Sequence, residues 1–292
     1  MGHGHPERPA RIRAISDQLI SQRLADFLHK IDAPVATTEQ FVRVHDRHYI
    51  DHIIKSAPRK ATVQLDLDTL MNPHSLDAAL HAAGALIAGL DSVLSGEVSN
   101  AFCAVRPPEH HAEHDRAMGF CLFNNVAVGA AHALSECGLE RVAIVDFDVH
   151  HGNGTEDIFE GNDQVLFCST YQYPFYPFSQ PSGAATNIIH CPLPAGSDGE
   201  LFRQAVTNHW LRVLQRFQSQ MLLVSAGFDG HRLDPLAQMQ LTEADYQWIT
   251  ERIMECANEH CEGCVVSTRE GGYDLEALAH SVAIQVRCLM KL

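Results

Sequence analysis

Hydrophobic positions along the chain fall into two recurring patterns. Short runs that are apolar or β-branched throughout occur at Ala101–Val105, Val142–Phe147, Val165–Cys168, Met221–Ser225 and Cys264–Thr268. Runs of that length without alternation fit strands covered on both faces. Between them, apolar residues recur at helical spacing. Pro9–Phe27 puts proline in a first turn and Ile12, Ile15, Leu19 and Ile20 on one side. Ser75–Leu94, Asn124–Leu134, Glu200–Phe217, Thr242–Ala257 and Leu275–Met290 behave similarly. Alternating strand and helix predict an α/β fold, a mostly parallel sheet with helices on both faces. No repeat, low-complexity tract or charged linker divides the sequence, so residues 1–292 are expected to form one domain. In such sheets ligands bind beyond the carboxyl ends of the strands, and reactive side chains should gather there.

Four clusters do. After the strand at 142–147 come Asp146, Asp148, His150, His151, Gly152, Asn153 and Gly154. Alternation puts Asp146, Asp148 and His150 on one side, so that Asp148 and His150 can reach one metal while Asp146 lies deeper. An aspartate capping a helix beside exposed histidines would explain one such pair. It does not explain four such groups in six residues. Arg106-Pro107-Pro108-Glu109-His110-His111 follows the first strand, and its prolines stiffen a loop that presents two adjacent imidazoles, suited to general acid–base work. A solvated histidine-rich loop would look the same in isolation. Ser225-Ala226-Gly227-Phe228-Asp229 ends another strand. Asp229 would complete a two-Asp, one-His set with an open coordination position, as catalytic zinc needs, although alone it also reads as a helix cap. Arg269-Glu270-Gly271-Gly272-Tyr273-Asp274 follows the last strand. Its glycines let backbone pass close to a ligand with the Tyr273 phenol beside it, or make an ordinary turn.

Composition narrows the function classes. Lys and Arg total 21 against 36 Asp and Glu, a formal charge of −15, which argues against a nucleic-acid groove. Nineteen histidines fit a chain that uses imidazole as ligand and base. No membrane partner is expected, because no run approaches the ~20 apolar residues of a span. The first residues lack the basic start and apolar run of a signal peptide. Nine scattered cysteines, an odd number, suggest reduced thiols in a cytoplasmic setting. Cys256, Cys261 and Cys264 beside His260 lack a second knuckle and read as buried thiols rather than a zinc site.

In combination and order, these elements resemble the histone deacetylase family, particularly its class II members and their bacterial relatives. The resemblance runs from His5-Pro6-Glu7-Arg8-Pro9 through Gly119-Phe120-Cys121-Leu122-Phe123-Asn124-Asn125 and Asp234-Pro235-Leu236 to Glu270-Gly271-Gly272-Tyr273. It implies the arginase/deacetylase fold, an eight-stranded mainly parallel sheet. Only four residues precede His5, so the family's first strand is expected to be missing or replaced. The match makes Asp148, His150 and Asp229 zinc ligands, a set that also accepts Fe2+. It makes His110 and His111 the tandem catalytic histidines, oriented by Asp146 and Asn153, with His111 the proton shuttle. Tyr273 becomes the donor to the substrate carbonyl. Phe120 and Tyr176 become the walls of an acyl-lysine channel, with Gly119, Leu236 and Gly271 also against the substrate. Potassium is implied at Asp146, Asp148, His150, Ser169 and Thr170, and a second potassium at Phe159, Asn162 and Val165.

The implied reaction is removal of an acetyl or other acyl group from the side-chain amine of acyl-lysine in proteins or peptides. An acetylpolyamine amidohydrolase shares the fold and metal site. One polyamine-selective branch has glutamate where this chain has Leu236, which favours acyl-lysine. An arginase-like enzyme would need a second metal and further aspartates at the strand ends. A non-catalytic acyl-lysine binding protein would have lost a ligand, a histidine or the tyrosine, and none is lost. Three positions depart from the pattern. Glu109 replaces glycine, and would either bias the channel entrance towards cationic substrates or point to solvent. Asn153 replaces the aspartate of some classes, and Leu233 a common glycine.

Overall fold

In the computed structural model, which describes residues 1–2, 4–179 and 185–292, the apolar runs form the middle of one parallel sheet. The first helices are α1 (Ala10–Ser21), α2 (Thr38–Phe41) and α3 (Arg47–Ser56). A small hairpin, β1 (Val63–Gln64) and β2 (Leu70–Met71), comes next, followed by α4 (Ser75–Leu94), β3 (Asn100–Cys103) and α5 (Asn125–Ser135). Then come β4 (Val142–Asp146), α6 (Asn153–Phe159), β5 (Val165–Gln172) and β6 (Ile188–Leu193). A helical run follows as α7 (Gly199–Ala205), a π turn at Val206–Trp210, and α8 (Leu211–Phe217). The chain ends with β7 (Met221–Ala226), α9 (Glu243–His260), β8 (Val265–Arg269) and α10 (Leu275–Leu289).

Among the described residues the sheet has six strands in the order β3-β8-β7-β4-β5-β6, every neighbouring pair parallel. The expected eight strands, the first of them missing or replaced, are therefore represented by six among the described residues. The two remaining strands pair only with each other, antiparallel. Ahead of them the chain runs against α4 instead of adding to the sheet edge: Ala36 N donates to Leu80 O at 3.1 Å. Alternate residues of β4 feed opposite cores. Ile144 packs with Leu86, Val126, Phe167 and Leu223 on one face, and Val145 with Trp210, Val224, Ile249 and Val282 on the other. Being covered on both sides is why these strands read as continuous apolar runs.

Strand β6 has no counterpart in the sequence reading, because His190 and Pro192 break its apolar pattern. Proline is tolerated at that place because β6 is an edge strand. The helix expected at 200–217 forms but is interrupted by the π turn that carries buried Trp210. Helix α4 is long and apolar enough to cross a membrane, with a mean hydropathy of 1.3 over its best window. Half of that window is buried, against β3, α5 and β8, which marks α4 as a core helix.

Candidate active site

Four strand ends and the loops beyond them converge where the sheet order places β8, β7 and β4 side by side. Asp146 closes β4 and lies fully buried. Its Oδ1 accepts from Asp148 N at 3.0 Å and its Oδ2 faces His110 Nδ1 at 2.9 Å, so one carboxylate shapes the following loop and orients an imidazole. Asp148 Oδ1 lies 2.9 Å from His150 Nδ1, and Asp229 Oδ2 lies 3.3 Å from the same nitrogen. One donor atom from each of Asp148, His150 and Asp229 falls within 4.8 Å of the other two. The remaining oxygens are held by backbone: Asp148 Oδ2 accepts from Gly271 N at 2.9 Å and Asp229 Oδ1 from Val149 N at 3.0 Å.

The donor set fits a metal ion. Asp229 Oδ2 is buried without a hydrogen-bond partner among the described residues, which costs free energy unless a cation meets it. Two carboxylates and one imidazole on a single point are hard and borderline donors suited to zinc. The backbone of Gly271 is part of this arrangement. A Cβ there would stand 1.8 Å from Asp229 Oδ2 and 2.6 Å from Asp148 Oδ2. Gly271→Ala should therefore displace both ligands and weaken metal binding by ~10-fold or more, read as metal retained after dialysis. Full metal retention would show that the two carboxylates can move aside.

His110 and His111 stand side by side, their ring centroids 4.1 Å apart, with different partners. Burial opposes charge on His110, but the carboxylates of Asp146, Asp148 and Glu270 outweigh it and raise its pKa well above the ordinary value. His111 Nδ1 meets a neutral amide instead, Asn153 Oδ1 at 2.7 Å. Burial and the adjacent positive charge of His110 and His150 hold His111 well below the ordinary imidazole range. One imidazole is thus kept charged and its neighbour neutral. Asn153 is fixed in turn by Glu113, whose Oε1 accepts from its Nδ2 at 2.7 Å.

A narrow cavity leads to these groups, lined by His110, His111, Asp148, His150, Gly119, Phe120, Tyr176, Leu236, Gly271 and Tyr273, with Asp68 and Pro108. Gly119 has φ +58°, and a Cβ there would lie 2.3 Å from the His111 ring, so only glycine lets the loop pass. The Tyr176 ring meets His111 edge-on at 5.1 Å and the Phe120 ring meets Tyr273 edge-on at 6.1 Å. Tyr273 is buried, and burial keeps its phenol protonated well beyond neutral pH. Its backbone N donates to Asp234 Oδ2 at 2.6 Å, and the Arg11 guanidinium lies 4.7 Å from its ring centroid.

The expected metal, catalytic and cavity residues therefore meet at one place. Three features escaped the sequence. Asp68, at the turn of the β1–β2 hairpin, lines the cavity and accepts from Gly119 N at 3.0 Å. Nothing in a short polar turn fifty residues away marks it. Glu270 accepts from the backbone N of Glu109 and His110, at 2.8 and 3.4 Å, and so holds the histidine loop. Glu109 itself meets neither expectation. It is fully buried, points away from the channel, and its Oε1 accepts from Val126 N at 3.1 Å in the first turn of α5. Burial, with Glu270 beside it, raises its carboxyl well above the ordinary range.

The two expected potassium positions differ. Ser169, which pairs with Asp146 in the sheet register, and Thr170 both carry buried hydroxyl oxygens without partners among the described residues. At the other, the carbonyls of Phe159, Asn162 and Val165 do converge, but on the amide nitrogen of Asn187, at 2.8, 3.0 and 2.9 Å. An asparagine in the turn before the edge strand carries no sequence signal for that role.

Comparison with known proteins points to one family. The model of the histone deacetylase domain matches residues 5–289. An uncharacterized protein of Synechocystis is 39% identical over 99% of this chain and 95% of its own. A histone deacetylase-like amidohydrolase of Pseudomonas aeruginosa is 37% identical over 92% of this chain and 73% of its own, and a human polyamine deacetylase 35% identical over 97% and 44%. The crystal structure of the HDA15 HD domain superposes with a TM-score of 0.92 at 32% identity, covering all of this chain and 83% of that one.

Proposed function

The chain belongs to the histone deacetylase family and is a hydrolase, and from that premise we propose that it cleaves the acyl amide of acyl-lysine in proteins or peptides. The observation that carries the proposal is the paired environment of His110 and His111 beside the Asp148, His150 and Asp229 cluster. An amide resists hydrolysis because its carbonyl is a poor electrophile and water a poor nucleophile. Zinc held by Asp148, His150 and Asp229 would supply Lewis acidity and make its bound water more acidic. His111, neutral and oriented by Asn153, accepts the proton of the attacking water and later delivers it to the departing amine. His110, held charged by Asp146, stabilises negative charge without giving up its proton. Tyr273 donates to the carbonyl oxygen as it becomes an oxyanion. Phe120 and Tyr176 flank the alkyl stem, and Leu236 presents an apolar surface. One potassium ion is proposed with Ser169, Thr170, Asp146 and the Asp148 and His150 backbone. The Asn187 amide takes the place of a second. The nine cysteines are free, as a reducing, cytoplasmic compartment would keep them.

The test is hydrolysis of a fluorogenic acetyl-lysine peptide beside N-acetylputrescine, with chelation and zinc restoration. Peptide turnover should exceed that of the polyamine, vanish on chelation and return with zinc. Turnover that survives chelation would overturn the metal assignment. Preference for acetylputrescine would replace lysine by polyamine as substrate, in line with Leu236 having no selective role. Zinc binding without hydrolysis of either would leave an acyl-lysine binding protein.

A further inference from the structure

Glu109 stands where the family pattern has glycine, and the carboxyl group that it adds meets another of its own kind. Glu109 and Glu270 are both 0% exposed, and their carboxyl groups are in hydrogen-bonding contact behind the histidine loop. Backbone takes one oxygen of each. Glu270, just past β8, accepts at Oε2 from Glu109 N at 2.8 Å and from His110 N at 3.4 Å. Glu109 Oε1 accepts from Val126 N at 3.1 Å, in the first turn of α5. The oxygens left over are Glu109 Oε2 and Glu270 Oε1. Both are buried, and neither has a hydrogen-bond donor among the described residues.

Two carboxylates in contact in a dry interior repel each other, and an oxygen without a donor adds to the cost. The cations nearby do not resolve this. Arg11 and Arg269 both donate to the backbone carbonyl of Glu270, not to its carboxyl group. Burial raises the Glu270 carboxyl; His110 opposes it, Asp146 and Asp148 add to it, and the balance lies above the ordinary range. For Glu109, burial and then the contact with Glu270 raise the carboxyl, and the Asn125 amide and His110 pull it down by less. The Cys103 and Cys121 thiols close by are kept neutral by burial, so they bring no charge. A single proton resolves the conflict. It turns one carboxylate into a donor, joins the two leftover oxygens and halves the charge of the pair.

We propose that Glu109 and Glu270 share one proton, and that this acid–carboxylate pair positions the loop carrying His110 and His111. Glu109 is anchored on α5 and Glu270 on the end of β8, and the loop is held through Glu109 N and His110 N between them. Glu109 is thus a positioning residue, acting on His110 through Glu270. The catalytic consequence rests on the roles given to His110 and His111 above; the shared proton does not. In the unfolded chain the two carboxyl groups are apart and titrate near ~4.3. The folded pair keeps its proton to higher pH. Its contribution to stability is therefore complete below the ordinary carboxylate range and is lost as pH rises through the raised folded value.

The experiment compares zinc-loaded wild type with Glu109→Gln and Glu270→Gln, each of which puts an amide N–H in place of the shared proton. At neutral pH the infrared spectrum of the wild type should contain the carbonyl band of a protonated carboxyl group that both variants lack. A band missing from only one variant would mean an isolated acid, and no difference from either would mean two carboxylates. Both results overturn the sharing. Melting temperatures from about pH 5 to about pH 9 give a second reading, in which the difference wild type minus Glu109→Gln should fall as pH rises. A difference that stays constant overturns the proposal. Glu109→Gly serves in both measurements if Glu109→Gln fails to fold. For the positioning role, Glu109→Met fills the space without a hydrogen-bonding group. It should lower kcat on the acetyl-lysine peptide by ~10-fold at unchanged KM, and Glu109→Gln should restore most of the loss. Normal turnover in Glu109→Met, or no restoration by Glu109→Gln, would overturn that role. Wild type that hydrolyses neither the peptide nor acetylputrescine would instead fail the acyl-lysine reading, and the infrared and melting results would still decide the pair.

Discussion

Replacing His111 by alanine should lower kcat by ~10²–10⁴-fold, the usual worth of a positioned general base. Metal content should stay at the wild-type value, because no atom of His111 belongs to the Asp148, His150 and Asp229 group. The assignment rests on its difference from His110. Both rings are buried, and both have an Nδ1 partner, a carboxylate for His110 and an amide for His111. A carboxylate partner stabilises the imidazolium, and an amide does so far less. His111 is therefore the ring that is free to accept a proton at neutral pH. Its pKa is held well below the ordinary imidazole range, so wild-type turnover should fall only on the acid side of that range. Measuring kcat, KM and bound metal for His111→Ala separates the roles. Normal turnover would remove it from proton transfer, and lost metal would make its effect structural.

Much of this site was legible because its residues are local in sequence. Asp146, Asp148, His150 and Asn153 lie within eight positions at the end of one strand, and β4 is apolar enough to be recognised without a structure. Parallel topology then places every such strand end on the same side of the sheet, so the clusters after β3, β4, β7 and β8 had to meet. What could not be read depends on long-range packing. Asp68 reaches the cavity only because the β1–β2 hairpin folds against Gly119 and Phe120, through Asp68 Oδ1 and Thr69 Oγ1. Glu109 looks like a surface substitution until α5 is placed behind it, offering the Val126 N–H. The resemblance implies eight strands with the first one missing or replaced, and the described residues form six in one sheet. The segment before α4 instead spends its backbone groups on that helix, as Ala36 does with Leu80.

Those buried supports also set the expectation for Tyr273. Tyr273→Phe should lower kcat by ~10²–10³-fold, the usual loss for one oxyanion donor, with KM and metal content close to wild type. The substitution removes one oxygen and little else. A phenylalanine ring can keep the stacking over Arg11 and the edge contact with Phe120. The loop is anchored through backbone, by Asp234 Oδ2 accepting from Tyr273 N and Asp274 N at 2.6 and 3.2 Å, and neither bond needs the hydroxyl. Burial keeps the wild-type phenol protonated, so it is a donor throughout the neutral range. Its hydrogen bond strengthens only as the carbonyl oxygen gains charge, so the loss should fall on kcat and not on substrate binding. A rise in KM at unchanged kcat would instead make Tyr273 a substrate-binding residue, leaving His110 and the metal to stabilise the oxyanion.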